Sequence, residues 1–177
     1  SLGGQLLRSS LISLLVAFAG IALYITVRYD PRYAFLALVA LAHDIVIVCG
    51  IFAWLGLTTG LEVDSLFAVA LLTIAGYSVN DTVVVFDRIR ERQRIDGDLP
   101  LSTQVDRAVS ATLTRTIYTS GTTLLPLSAL ILFGGSTLYW FAIALALGVI
   151  IGSWSSIALS PSLLSIWPSR SGAAASA

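Results

Sequence analysis

Apolar residues run along this chain in five long blocks, with the polar ones gathered between them. The blocks cover residues 11–27, 33–57, 65–86, 111–133 and 138–160. A helix needs roughly 20 mostly apolar residues to cross a bilayer, so each block predicts a membrane-spanning α-helix. Around them lie a lead-in at residues 1–10, a loop at 87–110 and a Ser/Ala/Gly-rich tail at 167–177 that is expected to be disordered. In the second half of the loop, Leu101, Val105 and Val109 recur every four residues. That spacing suits either a short helix lying on the membrane surface or an extension of the fourth span.

Composition sharpens the picture. The 177 residues are 56% hydrophobic and 11% charged, against about 25% charged for a soluble domain. A soluble core of this length cannot hide so much apolar surface, and the fold class is an all-α integral membrane bundle of five helices. Formal net charge is zero, so the total by itself says nothing about nucleic acid, and no nucleic-acid partner is expected. The single cysteine, Cys49, rules out a disulfide framework and reads as a small buried hydrophobe.

All ten basic residues are arginines, and their positions set an orientation. Arg28 and Arg32 separate spans one and two. Arg88, Arg90, Arg92, Arg94 and Arg107 separate spans three and four, and Arg170 follows span five. Arginine-rich loops stay in the cytoplasm, so the N-terminus of the chain is expected outside and its C-terminus inside. An exported N-terminus without a signal peptide predicts that a further segment precedes residue 1.

Three ionisable residues fall inside the spans: Asp44, Asp81 and Arg115. Each costs at least ~2.5 kcal/mol at the centre of a membrane helix, so such residues face a bundle interior or a watery path. At a rise of 1.5 Å per residue, Asp81 lies about 9 Å above Asp87 and Arg115 about 12 Å above Arg107, while Asp44 is about 18 Å above Arg32. The similar depths of Asp81 and Arg115 on consecutive antiparallel spans permit an ion pair. Arginine keeps its charge, so moving it towards or away from Asp81 changes how readily that carboxyl holds a proton. This is minimum equipment for coupling proton passage to helix packing; a static pair joining spans three and four is the other reading. His43 adjoins Asp44 and points about 100° away from it on a helix, as a hydrogen-bonded packing residue would.

Small residues draw a second pattern. Ala144, Gly148, Gly152, Ser156 and Ser160 recur every four residues in span five, a stripe that lets another helix approach closely, within this chain or in a second subunit. Span four follows Arg115 with Thr116, Thr119, Ser120, Gly121, Thr122 and Thr123, and then Pro126, which suits a kinkable or water-lined helix. Proteolytic chemistry finds little support: Ser78 lacks the following glycine of the intramembrane serine proteases, and neither Asp44 nor Asp81 sits in a Gly-x-Gly-Asp sequence. No zinc-type spacing or phosphate-binding loop occurs.

Residues 76–91, GYSVNDTVVVFDRIRE, closely resemble the signature of the SecF family of bacterial protein-export membrane proteins. So do LALVALAHDIVIVCGIF at 36–52, ATLTRTIYTSGTTLLPLSALILFGG at 111–135 and SSIALSPSLLSIW at 155–167. The resemblance implies the last five spans of an RND-like half-transporter. It implies a partnership with SecD and the SecYEG channel, and secretory preproteins as cargo. The role it implies is use of the proton-motive force late in export. It maps the proton-coupling residues onto Asp81 and Arg115, and onto Asp44. Gly76, Tyr77 and Asn80 belong to the same signature, and Asp87 and Arg88 at its end imply a structural or gating role. No cofactor is expected beyond protons as the coupling ion, and membrane lipids surround the chain. The implied location is the bacterial plasma membrane, or a thylakoid membrane in a photosynthetic host. The alternatives are a scaffold that holds SecD and the channel together without passing protons, and half of another RND-type exporter, against which the signature argues.

Overall fold

A computed structural model describes residues 2–167, with the side chains of Leu2, Gly3, Leu6 and Leu7 left aside. The expected tail from residue 168 onward, Arg170 included, lies outside the described residues. The chain forms helices α1 (Leu2–Arg28), α2 (Pro31–Thr59), α3 (Ser65–Ile95), α4 (Leu101–Phe133) and α5 (Gly135–Trp154). A π-helical turn over Ser155–Leu159 then leads into the short α6 (Ser160–Ser165). Among the described residues, five stretches are long and apolar enough to cross a membrane, the last being the continuous run Gly135–Ser165. In hydrocarbon every backbone N–H and C=O must be paired internally, which is why each apolar block closes as helix.

The ends are set by local chemistry. Pro31 occupies the first turn of α2, where its missing N–H costs nothing. Gly60 ends α2 in the left-handed region at φ 72°, returning its N–H to the Gly56 carbonyl. The Asp64 side chain caps α3 by accepting from the N–H groups of Leu66 and Phe67.

α3 is the central strut and touches every other element. The stripe on α5 packs against it inside this chain, so the two-subunit alternative does not hold for the stripe: Gly148 lies over Ile74, and Gly152 over Ser78 and Asp44. Because Gly148 meets Ile74, Gly152 meets Ser78 and Ser156 meets Asp81, α3 and the fifth span run parallel.

The structure differs from the sequence expectation at the arginine-rich end. The predicted loop 87–110 is mostly helix: α3 continues to Ile95, α4 begins at Leu101, and only a short turn separates them. Among the described residues no separate short helix forms there; Leu101, Val105 and Val109 belong to α4. Likewise α1 extends back through the lead-in to Leu2. Asp96 organises the turn, facing Arg107 at 3.1 Å and Arg92 at 3.6 Å, while Gln104 Nε2 donates to the carbonyls of Asp96 and Leu99.

Candidate functional site

The interior of the bundle is polar at one level. Asp44 on α2 is fully buried, and its carboxylate accepts from Ser78 Oγ at 2.6 Å and Ser155 Oγ at 2.8 Å, both at Oδ2. His43 Nδ1 lies 2.9 Å from Oδ1 of the same carboxylate. The His43 ring stacks on Trp154, with centroids 6.2 Å apart. Ser78 and His43 thus both bind Asp44 and do not meet each other. The imidazole is not placed to take the Ser78 proton, which disposes of a Ser–His nucleophile on geometric grounds.

Asp81 on α3 is 6% exposed and its carboxylate has a much thinner shell, with one long hydrogen bond from Ser156 Oγ at 3.4 Å and the Ser153 hydroxyl close by. The Ser156 hydroxyl lies 2.9 Å from the Ser153 carbonyl as well. One hydroxyl proton serves one acceptor well, so this serine chooses between the carboxylate and its own helix. Beside it, Ser153 Oγ pairs with Ser120 Oγ of α4, and Tyr77 OH donates to Ser120 Oγ at 3.3 Å. Two neighbouring serines on the π-turn therefore reach two carboxylates on two helices, Ser155 to Asp44 and Ser156 to Asp81.

Among the described residues no ion pair joins Asp81 to Arg115. Asp81 does lie at the depth of Arg115: the Tyr77–Ser120 contact sets it level with residue 116 on the antiparallel α4. Direction decides the outcome. Thr116 is the residue that points inward, 2% exposed, and Arg115, one step earlier, lies on the exposed flank. Gly76 and Asn80 are also exposed, on the outer face of α3.

Asp87 and Arg88 sit at the arginine-rich end of α3. Asp87 accepts from Tyr29 OH at 3.0 Å, and Arg88 pairs with Glu91. The Tyr29 ring lies near two guanidiniums, Arg28 at 5.1 Å and Arg90 at 5.5 Å. Among the described residues no group of three or more His, Cys, Asp or Glu is gathered as a metal site would be.

Sequence reasoning did not single out Ser78 as a partner of Asp44, nor Ser153 and Ser155. The available signal was the dense Ser run at 153–160, read there only as small residues, together with Pro161.

Comparison with known proteins adds an independent finding. The family model described as protein export membrane protein SecD/SecF, C-terminal, matches residues 1–170. The chain is 68% identical over 166 residues to the protein translocase subunit SecF of Prochlorococcus marinus, covering 94% of this chain and 52% of that protein. It is 48% identical over 167 residues to the SecF subunit of a Synechocystis strain, covering 94% and 53%. It is 41% identical over 170 residues to the translocase subunit SecDF of Thermus thermophilus, covering 96% and 23%. Among solved structures, SecDF in a super-membrane-facing form superposes with a TM-score of 0.83 at 42% identity, covering 90% of this chain and 21% of that one. The chain spans about half the length of the SecF relatives it matches.

Proposed function

This chain belongs to the SecD/SecF family of protein-export membrane proteins, and on that premise we propose that it contributes five membrane spans to an accessory subunit of the Sec translocation machinery. With SecD, that subunit uses the proton-motive force to promote export of secretory proteins through SecYEG. Asp81 takes up and releases the proton. Arg115 serves as a movable counter-charge, and Asp44 as the fixed anchor of the polar layer.

The observation that supports this division is the unequal shell of the two buried carboxylates. Asp44 accepts three hydrogen bonds, and Asp81 one long one. A carboxyl held from three sides is locked in place. One whose hydrogen bond is long, and comes from a serine with an alternative acceptor, is able to change state without dismantling its surroundings. Arg115 on the outer flank of α4 supports the partnership with SecD: a guanidinium facing lipid at mid-depth costs at least ~2.5 kcal/mol, and a polar partner helix removes that cost. Pro126 within α4 frees a backbone carbonyl and provides a bending point for moving Arg115. The arginine-rich end faces the cytoplasm in this reading, in the plasma membrane or a thylakoid membrane.

The test is export of a secretory precursor into inverted membrane vesicles, with and without a proton gradient. The whole protein carrying Asp81→Asn is compared with wild type at equal SecD co-purification. Loss of only the gradient-dependent part is expected. Unchanged export sinks the proton role, and export lost in step with SecD association makes the subunit a scaffold.

A further inference from the structure

A cleft of about 880 Å³ opens at the arginine-rich end, where the start of α2 meets the end of α3, the start of α4 and α6. One side is polar, with Asp30, Arg32, Tyr33 and Gln93; the other is apolar, with Leu101, Leu164 and Trp167. Tyr33 opens the apolar block 33–57, and Leu164 and Trp167 follow the block that closes at residue 160. The cleft therefore lies at the edge of the hydrocarbon, at the level of lipid headgroups, where tryptophan rings are enriched.

The charges at this end are unevenly used. Arg88, Arg92 and Arg107 pair with carboxylates, whereas Arg28, Arg32, Arg90 and Arg94 make no ion pair among the described residues. Two of these four belong to the cleft. Arg32 lines it. Arg90 stands one turn before Gln93 on α3, and with Arg32 and Asp30 it lies within electrostatic reach of the Tyr33 hydroxyl. That hydroxyl donates to Gln93 Oε1 at 2.9 Å, which fixes the amide and leaves its NH2 group as a donor with no protein acceptor among the described residues.

Two guanidiniums against the one carboxylate of Asp30 leave one positive charge. A ligand that balances it carries one negative charge and accepts forked N–H donors, as a phosphodiester does. A hydroxyl beside that phosphate gives Asp30 a donor. The apolar wall adds a further requirement, a hydrocarbon portion. Trp167 meets the exposed ring of Phe35 edge-on at 5.9 Å, so this wall continues to the outer face of α2.

We propose that the cleft is a site for an anionic phospholipid with a hydroxylated headgroup, of the phosphatidylglycerol class. Arg32 and Arg90 hold its phosphate, Asp30 and Gln93 its hydroxyls, and Leu101, Leu164 and Trp167 its first methylenes. Basic pockets between membrane helices take such headgroups, each arginine near the surface adding about five-fold in affinity. A zwitterionic lipid answers Asp30 and one guanidinium but leaves the other unbalanced, and inorganic phosphate leaves the apolar wall wet. The site requires only that the chain spans a bilayer and is independent of the proton role proposed for Asp81.

The experiment uses the whole protein with SecD, equilibrated with lipid in mild detergent and weighed by native mass spectrometry. Phosphatidylglycerol and phosphatidylethanolamine of identical chains compete at equal concentration. The wild type is expected to retain a phosphatidylglycerol that outcompetes the zwitterion at least about five-fold. That preference falls to near parity when Arg32→Gln and Arg90→Gln are combined. It is kept when Arg28→Gln and Arg94→Gln are combined, which removes the same charge outside the cleft lining. Equal retention of the two lipids by the wild type overturns the proposal, whether or not the variants fold. An equal fall in both variants also overturns it, because the preference is then a general attraction of the arginine-rich end. So does displacement of the bound lipid by inorganic phosphate, which makes the ligand a soluble phosphate.

Discussion

Gly148→Ala is the substitution that tests whether the α3–α5 seam positions the site. A Cβ at Gly148 comes 2.8 Å from Ile74 Cγ2, and closer still to Cγ1 and Cδ1. Ordinary carbon contacts lie at about 3.5–4.0 Å, so the helices must part by about 1 Å or Ile74 must leave its rotamer. Ile74 is 1% exposed and has no room to turn. Overpacking of this kind costs about 1–3 kcal/mol, and replacing a helical glycine returns about 0.5–1 kcal/mol; the clash wins, leaving a net loss of about 1–2 kcal/mol. The Ser156–Asp81 contact, two turns along the same seam, lengthens as the helices part. The assay is thermal unfolding of the whole protein in nanodiscs as a double-mutant cycle with Ile74→Ala, alongside gradient-dependent export. Ile74→Ala is destabilising alone but relieves the clash, so a coupling of about 1 kcal/mol or more is expected, with partial recovery of export. A coupling below about 0.5 kcal/mol refutes the close approach as the thing that sets the seam.

Two further predictions concern the carboxylate layer and the arginine-rich end. Ser155→Ala is expected to cost about 1 kcal/mol of stability in the wild type and close to nothing in an Asp44→Ala background, as measured by the same unfolding assay; equal losses in both refute the Ser155–Asp44 bond. The Tyr29 phenol is pushed up to about 12, first by burial, then by its hydrogen bond to Asp87 and by that carboxylate's charge. An unfolded chain loses this proton near pH 10 while the folded one keeps it, so the stability present below pH 10 is lost progressively as pH rises from about 10 to about 12. Absorbance titration of Tyr29→Phe should lack the last-titrating phenol and show a shallower alkaline loss of stability; an unchanged titration refutes the assignment.

Five spans, their order and the mid-membrane charges were legible because apolar run length and isolated charge are direct consequences of the bilayer as solvent. What hydropathy marks, however, is the thickness of hydrocarbon, not the length of a helix. Residues 87–95 and 101–110 are polar enough to leave the membrane yet continue α3 and α4 as helix, because Asp96, Gly97, Asp98 and Pro100 are where the chain breaks. Depth was legible too, and placed Asp81 level with Arg115. Azimuth was not: one residue along α4 is about 100° of rotation, which is the difference between the buried Thr116 and the exposed Arg115. The two serine partners of Asp44 lie 34 and 111 residues away in sequence, and no local pattern encodes such a meeting.

The π-turn explains a feature of the stripe that spacing alone leaves inconsistent. Residues four apart on a straight α-helix drift by about 40° at each step, so Ala144 and Ser160 should differ by about 160° and could not share a face. Yet both are 0% exposed. A π-turn inserts one extra residue into one helical turn and so takes out about 100° of that drift. Its position follows from Pro161, which can neither donate to the ladder nor tolerate the carbonyl four residues back. One proline thus accounts for three observations. Ser155 and Ser156 reach different helices, Ser160 still faces inward, and the Ser156 carbonyl, next after the Ser155 carbonyl that takes the Ser160 N–H, receives no N–H from Pro161. Pro161→Ala restores the N–H that an unbroken α-helix needs, and with it the drift that turns Ser160 away from the interior.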